Sequence, residues 1–335
     1  MDKKIATIQD VARAAGVSIA TVSRTLSKPS VVSKATQTSV LQAVADTGYR
    51  INTTASNLRR QRTGSVIALV PNLANPFFSQ ILAGLSSVLT EVGFGLLIAD
   101  TQSGTDPDER LAHYLASGMA DGLILFDGTL SQAVLERPRR LPVIMACEWM
   151  PGSLPSITAD NRAGAVMAVD HLVAFGHRTI GYIAGPVGNV LNIARQEAFV
   201  ESLTKHSLRV QPDWIFEGDF SMDAGAAAAR RWMAMTNKPT ALFCASDEMA
   251  VGFIGEVQHL GAKVPDDVSV VGFDNIEVGQ HITPALTTIR QPRNRIGKRA
   301  AQLLLDMISA SSTNGPSEVV DIEFISRASV AHPAS

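Results

Sequence analysis

The chain has 335 residues, a length that suggests roughly two or three compact units. At 46% hydrophobic and 18% charged residues it buries a sizeable core, which excludes global disorder. No apolar run approaches the ~18 residues of a membrane span, Met1 to Asp10 lacks the apolar stretch of a signal peptide, and Cys147 and Cys244 are too few for a disulfide framework. The expectation is a cytoplasmic protein with no membrane partner. The net charge of −2 conceals an asymmetry. Residues 1–62 hold ten Lys and Arg against three Asp and Glu, and the other 273 residues hold 19 against 28. A basic head on an acidic body points to a polyanion partner for the head, although a merely solvated basic face has the same balance.

Thr7-Ile8-Gln9-Asp10 has the form of a capping box, a hydroxyl at the N-cap and an acid three residues on. The helix it opens, Ile8 to Ala15, puts Ile8, Val11, Ala12 and Ala15 on one face, and Gly16 ends it. Ser18 caps a second helix from Ile19 to Leu26, with Val17, Val22 and Leu26 turned inward. Ala12, Ala14, Ala15 and Gly16 are small enough to let the two helices cross closely, the pattern of a helix-turn-helix. A third helix, capped by Ser33, runs through Val40, Leu41 and Val44 to Gly48.

The second helix of such a unit enters the major groove, which sets Ser18, Ile19, Ala20 and Thr21, then Arg24 one turn later, against base edges. The Arg24 fork matches guanine O6 and N7, and its alternative use is as a phosphate clamp. Ile19 and Ala20 offer apolar contacts to thymine methyl groups. Thr21 and Ser23 suit phosphates, which position the head without specifying sequence, and Thr7 and Ser33 are further candidates for the DNA backbone.

These residues carry a resemblance. Ile8-Gln9-Asp10-Val11-Ala12, Ala15-Gly16-Val17-Ser18, Ala20-Thr21-Val22-Ser23-Arg24 and Gly48-Tyr49-Arg50-Ile51-Asn52 resemble the head of the lactose-repressor family of bacterial regulators. The following segment, residues 50–62, is basic and short, and a helix of that length is marginal alone in water. The resemblance implies that Asn52 to Leu58 folds into a hinge helix on DNA, with Asn52, Ala55 and Leu58 at the minor groove and Leu58 as an apolar wedge. Arg59 and Arg60 suit the phosphates. The alternative for the segment is a plain flexible linker, which explains poorly its one leucine among so many polar and basic residues.

From Gly64 onward, short β-branched runs alternate with amphipathic helices, which predicts parallel sheets covered on both faces. The strand candidates are Val66–Val70, Leu96–Ala99, Leu123–Phe126 and Val143–Cys147, then Ile180–Ala184, Ala241–Cys244, Val268–Val271 and, near the end, Val319–Ile325. Two series mean two similar lobes, and ligands bind such sheets beyond the carboxyl ends of their strands. The residues there are Phe77 and Phe78, Glu148 and Trp149, Asn189 and Arg195, Asp247, and Asp274. Each aromatic alone is more often a core or helix-staple residue than a ligand platform; the alternative for Asp274-Asn275 is a turn, and for Arg195 a pairing with a surface acid such as Glu197. Together, aromatic faces and bidentate polar groups suit a sugar, polyol or nucleoside.

The resemblance extends through this body in Asn75-Pro76-Phe77-Phe78, Asp160-Asn161, Gly176-His177-Arg178-Thr179-Ile180, Gly272-Phe273-Asp274-Asn275 and Leu286-Thr287-Thr288-Ile289. It implies an α/β fold, a three-helix head (residues 1–49), a hinge (50–62) and a two-lobed periplasmic-binding-protein-like sensor (63–335). The first lobe would span about 63–158 and 290–318, the second about 159–289 and 319–335, with three crossings. It also implies ligand contacts at Phe78, Arg195, Phe220 and Asp274. Ile183-Ala184-Gly185-Pro186, Gly218-Asp219-Phe220 and Phe273-Asp274-Asn275-Ile276 are most similar to the cytidine-repressor branch.

The rival class is an α/β enzyme with a basic extension. Pro71-Asn72-Leu73-Ala74-Asn75 has no glycine where a dinucleotide enzyme needs G-x-G-x-x-G, and no G-x-S-x-G, H-E-x-x-H or phosphate loop occurs. The expectation is a repressor without cofactor, metal or catalytic residues. One recognition helix reads one half-site, so a homodimer on palindromic double-stranded operator DNA is expected. No leucine heptads follow the last strand candidate.

Overall fold

The computed structural model describes residues 6–49, 62–101, 106–129, 132–135, 141–150 and 154–333. It divides into two units, Met1–Thr63 and Gly64–Ser335. Asn52, Ala55, Leu58, Arg59 and Arg60 lie outside the described residues.

Among the described residues of the first unit the α-helices are α1 (Ile8–Ala15), α2 (Ile19–Ser27) and α3 (Lys34–Thr47). Local chemistry fixes their ends. The Asp10 carboxylate accepts from the Thr7 backbone N–H at 3.0 Å and from its hydroxyl at 2.7 Å. Gly16 ends α1 at φ +66°, where the next N–H, that of Val17, returns to the Ala12 carbonyl at 3.0 Å. Val11, Ala12, Val22, Val40 and Ala43 form the buried centre. Leu41, on α3, is 55% exposed. The inward face of α3 instead follows the helical spacing Val40, Ala43, Val44.

Among the described residues the second unit holds two six-stranded sheets. The first contains β1 (Ser65–Val70), β2 (Gly95–Asp100), β3 (Gly122–Leu125), β4 (Val143–Ala146), β5 (Ser156–Ala159) and β11 (Glu318–Val320), in the order β11-β5-β4-β3-β1-β2. The second contains β6 (Ile180–Ile183), β7 (Ile215–Phe216), β8 (Ala241–Cys244), β9 (Ser269–Asp274), β10 (Thr287–Arg290) and β12 (Glu323–Ile325), in the order β12-β10-β9-β8-β6-β7. All pairings are parallel except β10 with β12. The chain passes between the sheets after β5, after β10, and between β11 and β12. The strand expected over Val319–Ile325 is therefore two short strands in different sheets, joined by Asp321 and Ile322 at the third crossing. Strands β5 and β10 escape a search for apolar runs because Ser156, Thr158, Thr287 and Thr288 break them up, although all four are buried.

Helices cover the sheets: α4 (Phe77–Glu91), α5 (Pro107–Ala116), α6 (Gln132–Leu135) and α11 (Arg293–Ala310) lie in the first lobe. Helices α7 (Asn161–Ala174), α8 (Val190–Lys205), α9 (Met222–Ala234) and α10 (Asp247–His259) lie in the second. Helices α4 and α11 approach so closely that a Cβ on Gly84 would stand 2.3 Å from the Asn294 carbonyl oxygen, and one on Gly297 2.1 Å from that of Ile81. This close crossing carries Arg293, the first residue of α11, to the boundary between the lobes. Among the described residues no helix is long and apolar enough to cross a membrane.

Candidate DNA-reading helix and ligand cleft

In the head, Ser18, Ile19, Ala20 and Arg24 are exposed on α2, while Thr21 and Ser23 are half-buried. Ile19 leaves 45% of its surface in water at the first turn of the helix, where it contributes little to the head's own core. The hydroxyls have local work. Ser18 Oγ accepts from the Thr21 N–H at 3.1 Å and lies 2.9 Å from its hydroxyl. Thr7 is engaged with Asp10, and Ser33 Oγ accepts from the Thr36 N–H at 3.3 Å. These caps fix the helix starts; Ile19, Ala20 and Arg24 are what the helix presents outward.

In the sensor, a cavity of about 190 Å³ opens between the carboxyl ends of the two sheets. It gathers Phe77, Phe78, Glu148, Asn189, Arg195, Phe220 and Asp274 from the residues picked out in the sequence. Trp149 and Asp247 are not in its lining. Asp247 is fully buried below it, accepting from the Ile276 N–H at 2.9 Å and the Thr288 hydroxyl at 2.6 Å. Its carboxylate pins the loop that follows Asp274.

The wall from the first lobe is aromatic. Phe78 sits edge-on to Phe77 at 5.1 Å and to Phe126 at 5.6 Å. Opposite it, Phe220 lies against Gly185, where a Cβ would come within 2.3 Å of the ring. Arg195 is 2% exposed. Its Nε donates to Asn161 Oδ1 at 2.9 Å, its Nη1 donates to the Ala245 carbonyl, and its plane stacks 3.7 Å from the centre of Phe273. Asp274 accepts from Gln291 Nε2 at 2.7 Å and adopts φ +122°. Cys147 and Phe220, also in the lining, have φ of +70° and +69°. Three non-glycine residues in this costly backbone region around one cavity mark a strained, tightly held site.

Two bridges join the lobes here. Glu148 accepts from Gly128 N at 2.6 Å in its own lobe and from Asn189 Nδ2 at 2.8 Å in the other. The Asn189 amide cannot turn away, because its Oδ1 accepts from Leu191 N and Asn192 N as the cap of α8. Arg293 donates to the Phe77 carbonyl at 3.1 Å and to the Asn275 carbonyl at 3.0 Å. Burial dominates the electrostatics. It pushes the Glu148 carboxyl up to about 7. It pushes Asp274 up to about 6, with Arg195 and Arg293 pulling the other way. Asp247 rises to about 7 through burial and then the charge of Asp274.

The sequence reading missed several contributors. Phe126 and Asp127 follow β3 as Glu148 follows β4, so the strand-end rule applied there would have found them. Asn75, Ser221 and Ser246 line the cavity as helix-start residues, and Asp219 and Glu248 flank residues already singled out. Arg293 carried no local signal.

Comparison with known proteins agrees with this architecture. Residues 7–52 match the profile of bacterial regulatory proteins of the lacI family, and residues 169–330 that of the periplasmic binding protein-like domain. The chain is 37% identical over 327 residues to the HTH-type transcriptional repressor CytR of Escherichia coli K12, covering 97% of this chain and 96% of that one. It is 35% identical over 309 residues to the repressor PurR of Aliivibrio salmonicida, covering 91% and 92%. A lac repressor dimer bound to operator and the anti-inducer ONPF superimposes with a TM-score of 0.85 at 29% identity, over 98% of this chain and 100% of that one. A complex of the transcriptional regulator CelR with cellobiose gives 0.73 at 31% identity, over 97% and 99%. With a helix-turn-helix head, a two-lobed sensor and relatives of this similarity along nearly its whole length, the chain belongs to the lacI family of bacterial regulatory proteins, transcriptional regulators and not enzymes.

Proposed function

We propose that this regulator binds a palindromic operator as a homodimer, and that a small hydroxylated ligand, a sugar, polyol or nucleoside, sets its operator affinity from the cleft. The observation that carries the reading is the cleft itself. Its aromatic wall belongs to one lobe and Arg195 and Asp274 to the other, so a ligand touching both changes the balance between open and closed arrangements. A ligand shifts that balance only by its differential affinity for the two states. The relatives favour the same view: one lac repressor structure is a dimer on operator, and the CelR structure holds cellobiose. Strand β2 supports dimerisation, since it is an edge strand with Leu97 and Ile98 42% and 45% exposed in a parallel sheet. On DNA, Ile19, Ala20 and Arg24 would read the major groove, and Asn52, Ala55 and Leu58 of the hinge would meet the minor groove.

The test is a gel shift against operator DNA with and without sugars, polyols and nucleosides. Asp274→Ala should lose the ligand response and keep ligand-free operator binding. A variant that responds at the parental concentration places the ligand elsewhere.

A further inference from the structure

Four helices begin at this cleft, and a helix start is ordinarily a phosphate site, because its first N–H groups lack partners and carry partial positive charge. Here each start is closed by a side chain of the chain itself. Asn75 Oδ1 accepts from Phe77 N at 2.8 Å at α4, and Asn189 Oδ1 from Leu191 N at 2.9 Å at α8. Ser221 Oγ accepts from Ala224 N at 3.1 Å at α9, and Ser246 Oγ from Met249 N at 3.3 Å at α10. All four caps also line the cavity, so the oxygen atoms occupy the places that phosphate oxygens would take.

The charges point the same way. Among the described residues the lining carries five carboxyl groups, on Asp127, Glu148, Asp219, Glu248 and Asp274, and one cation, Arg195. That cation is not a free anion clamp. With Nε on Asn161, Nη1 on Ala245 and one face on Phe273, only Nη2 lacks a partner among the described residues. One donor nitrogen can hold a hydroxyl but is a poor match for the paired oxygens of a phosphate or carboxylate.

We propose that the cleft selects by charge: it takes a neutral or amine-bearing hydroxylated ligand and excludes the phosphorylated or carboxylated counterpart. The inference rests on the cleft being the ligand site. The raised carboxyls of Glu148 and Asp274 fit it, because a second anion would drive them higher, whereas a donor or cation favours their ionised form.

The experiment is isothermal titration of the full chain with glucose, glucosamine and glucose 6-phosphate, and with adenosine, cytidine and uridine and their 5′-monophosphates. For any parent that binds, the phosphate should bind ~100-fold or more weakly. The double variant Asp219→Asn with Glu248→Gln, checked for folding by its melting curve, should narrow that ratio roughly tenfold. A phosphate that binds as well as its parent overturns the proposal, as does a ratio the double variant leaves unchanged. If no member of either series binds parent or variant, the small-ligand reading of the cleft fails and this one with it, a result distinct from inverted selectivity.

Discussion

In the head, the residues proposed to meet DNA, Ser18, Ile19, Ala20, Thr21, Ser23 and Arg24, lie at the cap and in the first turns of one short helix. Ile19, Ala20 and Arg24 stand exposed. In the sensor, the cleft residues arrive from helix starts and strand ends in two sheets, and Arg195, Glu148, Asn189 and Asp274 are buried and already bonded to one another's surroundings. The head therefore keeps its interaction capacity in water until a polyanion comes. The cleft spends its capacity on holding two lobes together, so a ligand must replace or join existing bonds. This difference suits the first region to reading DNA and the second to responding to a ligand, since the bonds of its site cross the boundary between two lobes.

The largest test of this contrast is Arg293→Ala. It removes the donors to Phe77 and Asn275 and leaves Asp274 and Asp247 short of a buried cation. The sensor should lose about 3–5 kcal/mol in urea unfolding, with the head's transition unmoved. A loss shared equally by both transitions would erase the distinction between the regions.

Next, Arg24→Ala should weaken specific operator binding by about 1–3 kcal/mol and relax preference at one base per half-site. Titration against single-base operator variants measures this, and an unchanged preference at every position makes Arg24 a phosphate clamp. Smaller again is Ser18→Ala, which removes the acceptor for the Thr21 N–H and should cost the head about 1 kcal/mol. Thermal melting of the head reads this, and no change in its midpoint would show the cap to be idle.

The last is a slope. The folded sensor holds the Glu148 carboxyl at about 7 against its ordinary 4.5, so it binds that proton more tightly than the unfolded chain does. This contribution is fully present below about pH 4.5 and is lost as pH rises through about 7. The sensor's melting temperature should accordingly rise as pH falls from about 8 to about 6, and Glu148→Gln should flatten the trend. A steeper trend in the variant would assign the effect to other groups.

The caps were legible because they are local. Thr7, Gly16, Ser18 and Ser33 act within three or four residues of themselves, so their spacing alone places the ends of α1, α2 and α3. The inward face of α3 was not legible, because a helix presents neighbours such as Val40 and Leu41 to different faces, and only contact with α1 and α2 decides which face is inside. In the sensor the strand-end rule led to Glu148, Asn189 and Asp274 and equally to Asp247, whose side chain turns beneath the loop to Ile276 and Thr288. Position along a strand does not distinguish those two fates.

By itself, the sequence determined the kind of protein: its capped helices, its alternating strands and helices, and the residues of its head. Tertiary structure decided the working of the sensor. It split the last apolar run between two sheets, set Arg293 on a carbonyl 216 residues away, and aimed the Asn189 amide at Glu148 across 41 residues. The physical reason is range. Caps and periodicity are energies between near neighbours in sequence, whereas a buried charge finds its partners only after the two lobes have closed the water out around it.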